Sequence, residues 1–151
     1  MIVQDRNQSR DIFFNTWYKH NTGAELQGIE KLIAQVVLQH PEYHELLSDA
    51  QANRDREFSN VLGIVNPFLH MGMHLTITEQ ISIDNPAGIR SCYQKLVRKY
   101  ADEHLTQNNM MDCLSDWLIS IQSAITPDQA QTAGSTYLDC LNRQLGIQAS
   151  G

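Results

Sequence analysis

The sequence predicts an all-α fold, a single compact helical domain of five to six helices covering residues 1–151. Apolar residues recur at steps of three and four in four long stretches, the signature of amphipathic helices. Pro67, Pro86 and Pro127 each follow a residue able to cap a helix (Asn66, Asn85 and Thr126), and proline at the first helical position loses no hydrogen bond. Hydrophobic residues are 42% and charged residues 19% of the chain, a balance that supports one packed core.

Taken in order, Ser9 is a candidate cap for a first helix anchored by Phe13, Phe14, Trp17 and Tyr18 and ending at Asn21-Thr22-Gly23. A second helix is predicted from about Glu25 to His40, its apolar stripe running Leu26, Ile29, Ile33, Val36, Val37, His40. Pro41 leaves two readings open. Either the helix stops at Gln39 and Pro41 starts a short helix through Leu47, or one kinked helix continues. Residues 50–59 are charge-rich and poorly periodic and read as a surface connection. Residues 60–65 form a short apolar run, with at most a two-residue bridge near Val61 to Val65.

The organising element is the segment Asn66–Arg90, NPFLHMGMHLTITEQISIDNPAGIR. Its helix should run from Pro67 to the Asp84-Asn85-Pro86 stop, because the residue before a proline is pushed out of helical geometry. It has no lysine or arginine before that stop and one glutamate, Glu79. A helix so poor in charge belongs in an interior. A fourth helix, capped by Asn85, would place Ile89, Tyr93, Leu96, Val97, Tyr100 and His104 on one stripe. A fifth, starting near Asn108 or Asn109, carries Met110, Met111, Leu114, Trp117, Leu118, Ile121 and Ile125. Thr126-Pro127-Asp128-Gln129 opens the last helix as a capping box, and Gly146 closes it.

Net charge is −6 with a pI near 5.4, and no basic run is dense enough to neutralise phosphates, so nucleic acid is not an expected partner. The first residues lack the apolar stretch of a signal peptide, and no run of 18 apolar residues exists to span a membrane. A cytoplasmic location is expected. Cys92, Cys113 and Cys140 are odd in number and far apart, which predicts reduced thiols in the core and not a disulfide framework. Glycine-rich phosphate loops, Gly-x-Ser-x-Gly and HExxH motifs do not occur, and no catalytic residue is assigned.

The histidines carry the chemical signal. Six histidines make fifteen pairs; roughly 0.2 of these would fall four apart by chance, against two found, His40/His44 and His70/His74. That spacing lets two rings on a helix face one ion. His104 ends a further core stripe, so His40, His44, His70, His74 and His104 form the candidate metal-ligand set. Glu42, Glu45 and Glu103 adjoin them as ligands or partners of ligands. Imidazole suits zinc, iron, copper or nickel and disfavours magnesium and calcium; zinc or iron leads. The competing reading is a non-enzymatic interaction protein, for instance a homodimer, whose histidines only complete core hydrogen bonds. His20 reads as polar surface.

His40-Pro41-Glu42-Tyr43-His44, the Asn66–Arg90 segment, Met111-Asp112-Cys113-Leu114 and the early Phe14 and Trp17 together resemble the bacterial family named domain of unknown function 1841, over most of the chain. The resemblance implies a cytoplasmic bacterial protein and no particular activity. In the family pattern the segment before Met-x-Cys-Leu reads His-x-x-Glu-His, whereas here it reads His104-Leu105-Thr106-Gln107-Asn108. The two amides are poor ligands. They count against a dinuclear carboxylate-rich centre and leave a smaller histidine-only site, or a lost one.

Overall fold

The computed structural model describes residues 6–58 and 66–146. The bridge expected near Val61 to Val65 lies outside the described residues. The fold class is all-α. The elements are α1 (Arg6–Thr22), α2 (Ile29–Leu38), a 3-10 turn (Pro41–Tyr43), α3 (His44–Leu47), α4 (Ala50–Asn53), α5 (Pro67–Ile83), α6 (Ile89–Tyr100), α7 (Glu103–Ser123) and α8 (Pro127–Gln144). There are thus eight α-helices among the described residues, not five or six. The excess is α3 and α4, single turns too short to show a period.

The chain groups into two compact units, Met1–Thr76 and Ile77–Gly151. In the first, Phe13, Phe14 and Trp17 of α1 and Ile33, Val36 and Val37 of α2 join Leu47, Phe68, Met71 and Leu75 in one core. The Phe13 and Phe14 rings stand 6.1 and 5.5 Å from that of Phe68, within the range of favourable aromatic pairing. Ser9 lies inside α1 and does not cap it, since the helix is already formed at Arg6. The second helix begins at Ile29, not near Glu25, because Gly28 takes a positive φ of 58°. Its end follows the first of the two readings: Gln39 is the C-cap, and Pro41 opens a separate turn.

Residues 50–58 are more than a solvated connection. Asp49 caps α4 by accepting from the Ala52 N–H, and Arg54 makes a two-pronged pair with Asp11 at 2.7 and 2.9 Å. Arg10, 2% exposed, donates to the Arg54 and Arg56 carbonyls and lies 4.8 Å over the Phe68 ring. A buried guanidinium needs such acceptors to offset its lost hydration. Its position inside an aromatic stripe gave no warning in sequence.

Asn66 caps α5 as expected, its Oδ1 accepting from the Phe68 and Leu69 N–H groups. The helix is less thoroughly buried than its composition suggests: Leu69 and Ile83 are 58% and 68% exposed. It ends at Asp84, whose φ is 52°.

In the second unit Ile89, Cys92 and Leu96 of α6, Met110 and Leu114 of α7, and Tyr137 and Leu141 of α8 are buried. Asn85 does not cap α6. That task falls to Asp84, whose Oδ1 accepts from the Gly88 and Arg90 N–H groups, and these bonds hold its carboxyl below the usual range. α7 starts at Glu103, not near Asn108, because Asp102 caps it through the Leu105 N–H. Thr126 and Gln129 form the reciprocal capping box of α8, and Gly146 follows that helix at φ 80°.

The Tyr137 hydroxyl donates to Gln80 Oε1 at 2.9 Å, and burial drives its pKa upward. Cys113 and Cys140 are joined as a disulfide, with Cα atoms 5.8 Å apart, which corrects the expectation of three reduced thiols. An odd count leaves one cysteine over without keeping the others apart. α7 and α8 form a hairpin across residues 124–126 that brings these two side by side, and Cys92 is the buried free thiol.

Candidate metal centre

His40 owes its position to Pro41. The residue before a proline avoids helical geometry, and His40 sits at φ −126°, ψ 66°, turning the chain out of α2. Its carbonyl accepts from the Tyr43 N–H at 2.9 Å, closing the 3-10 turn. The side chain is driven inward and is 1% exposed. His70 and His74 come from consecutive turns of α5, on one face as their spacing requires. His74 is fully buried, whereas His70 is only half-buried, so one of the two imidazoles expected inside the core reaches its margin.

These three rings converge. Centroids are 4.9 Å apart for His40 and His70, 4.8 Å for His40 and His74, and 4.8 Å for His70 and His74. Ring nitrogens of His40 and His74 come within 4.8 Å of one another. Two imidazoles bound to one ion at ~2.1 Å have their donor atoms roughly 3–3.5 Å apart, so closure on an ion needs side-chain movement of about an ångström. Tyr43 lines one side, stacked on His40 at 5.2 Å and 6.3 Å from His70. Its hydroxyl pKa is raised, first by burial and then by the Glu42 carboxylate. Glu42 Oε1 accepts from His40 Nδ1 at 2.8 Å.

His44 takes another course. Its ring lies 4.2 Å from that of Trp17, and its Nε2 donates to the Val37 carbonyl at 2.7 Å, which commits that nitrogen to a proton. Four-residue spacing from His40 does not place the two on one helix face, because the helix is interrupted between them. Trp17 also stacks on the exposed His20 at 5.3 Å.

In the second unit, His104 is half-buried in the first turn of α7. It does not continue the α6 stripe, since α6 stops at Tyr100 and Ala101 reverses the chain at φ 60°. Gln107 bonds Thr78 Oγ1 at 3.4 Å, and Asn108, Glu103 and Glu45 are exposed. Histidine spacing carries no signal for Tyr43; its position between His40 and His44, within the 3-10 turn, is what brings it to the rings.

No curated protein and no solved structure matches the chain. A family model described as domain of unknown function (DUF1841) matches residues 5–143, and the chain belongs to that family.

Proposed function

We propose that this protein binds a transition metal through its histidine cluster, with zinc or iron as the first candidates. The observation that carries the reading is the convergence of His40, His70 and His74, three imidazoles whose ring centroids lie 4.8–4.9 Å apart, two of them buried. Imidazole nitrogens suit such ions, and here one helix, α5, and the turn after α2 supply them. His104 is proposed as a further donor on the sequence argument. His44 is the weakest member, given its bond to Val37. The reading takes residues 1–151 as one working domain. It also takes the protein as cytoplasmic, where a Cys113–Cys140 bond would ordinarily be kept reduced.

A second reading has its own support. The bonds from His40 to Glu42 and from His44 to Val37 are what core histidines make. Tyr18 and Ile29, 70% and 37% exposed, line a concavity with Ile12 and Ala24 suited to an interaction protein.

Elemental analysis of untagged protein purified without chelator separates them. Metal binding predicts stoichiometric ion. It also predicts that zinc at one hundred times its Kd stabilises the native state by about 2.7 kcal/mol, a rise of roughly 5–10 °C in melting. His40→Ala and His74→Ala should lose this response, and His20→Ala should keep it. Metal-free protein whose melting ignores zinc, iron and nickel would overturn the reading in favour of core histidines.

A further inference from the structure

We propose that Glu42 is a positioning residue of the histidine cluster: its carboxylate fixes the proton of His40 on Nδ1 and so leaves Nε2 as the coordinating nitrogen. The inference rests on the metal-site reading for its functional meaning, but its chemistry stands on geometry alone. An ionised carboxylate can only accept, so the 2.8 Å contact between Glu42 Oε1 and His40 Nδ1 places the imidazole N–H on Nδ1. A neutral imidazole has one such hydrogen, so Nε2 keeps its lone pair. Nε2 is the nitrogen withdrawn from solvent, with essentially no accessible surface, while the Glu42 side chain is 56% exposed.

The local fold sets the pair up. Pro41 starts a 3-10 turn at His40, and within it the side chain two residues on folds back to the edge of the His40 ring. Tyr43, the next residue, covers the face of the same ring at an interplanar angle of 15°. Edge and face are therefore both held by one turn, and the ring can neither flip nor exchange tautomer without breaking a contact. Carboxylate–imidazole pairs of this kind orient metal ligands and raise their basicity. Of the three glutamates adjoining the histidines, Glu45 and Glu103 are exposed, and Glu42 is the one bonded to a histidine ring among the described residues.

The test reads the tautomer directly. Full-length protein is stripped with EDTA and held at a pH where imidazole is neutral, and ring nitrogens are followed by long-range 15N–1H correlation. Wild type should show His40 protonated on Nδ1 with a bare Nε2. Glu42→Ala should shift His40 toward the Nε2–H form, and Glu42→Gln, which keeps shape but loses charge, should fall between them. Zinc affinity should drop about 10–100-fold in Glu42→Ala. Helix content by circular dichroism should be unchanged in both variants.

A wild-type His40 carrying its proton on Nε2, or a tautomer indifferent to Glu42→Ala, would overturn the proposal. A Glu42-dependent tautomer in a protein that takes up no zinc would support the positioning role and overturn the metal reading instead.

Discussion

Leu69 and Leu75 stand on the same helix, α5, with the same side chain and helix propensity, yet one is 58% and the other 1% exposed. Truncating each to alanine isolates burial from every other effect. Leu75 packs with Phe13, Phe14, Ile33 and Met71 in the first unit's core, so Leu75→Ala withdraws about three carbons from an apolar interior. At roughly 0.8 kcal/mol per methylene the transfer loss is about 2.4 kcal/mol. A residual void of about 70 Å3, at roughly 24 cal/mol per Å3, adds about 1.7 kcal/mol. The sum, about 4 kcal/mol, corresponds to a drop of roughly 8–16 °C in melting for a chain of this size. Leu69→Ala should cost less than about 0.5 kcal/mol. Urea titration followed by far-ultraviolet circular dichroism, with tryptophan fluorescence as a second probe, measures both. Equal costs for the two leucines, or a Leu75→Ala cost under about 1 kcal/mol, would refute the placement of this face of α5 in the core.

Two further expectations concern the second unit. Asp84 has its pKa lowered by the N–H groups of Arg90 and Gly88, so its contribution is present above the ordinary carboxylate value near 3.9 and is lost as pH falls through the lower folded value. Asp84→Asn keeps an acceptor at a positive φ that asparagine tolerates; its urea midpoint should fall less steeply than wild type's below about pH 4, and identical slopes would exclude the linkage. The Cys113–Cys140 bond closes a separation of 27 residues, for which chain entropy predicts about 3.5 kcal/mol. Reductant should lower melting accordingly, and alkylation of both thiols in unreduced native protein would contradict the pairing.

Features decided within a few residues were legible before any coordinates. The caps at Asn66 and Thr126, the proline starts at Pro67 and Pro127, and the glycine after α8 each depend on hydrogen bonds or φ preferences inside one turn. The shared face of His70 and His74 follows from helical pitch alone, whereas Pro41 leaves a helix end and a kink both open until the structure shows the end at Gln39. Caps reaching further were misplaced: Asp84 serves an N–H six residues away, and Asn85, the nearer candidate, does not. Tertiary structure decided the rest. Which face of α5 meets the core separates Leu75 from Leu69, and a helix hairpin pairs two cysteines that sequence left far apart. His44 turns to Trp17 and Val37 because the chain breaks at Pro41, whereas His40 turns to His70, His74 and Glu42. Side-chain direction is set by what lies opposite, and spacing along one chain segment carries no information about the segment that will face it.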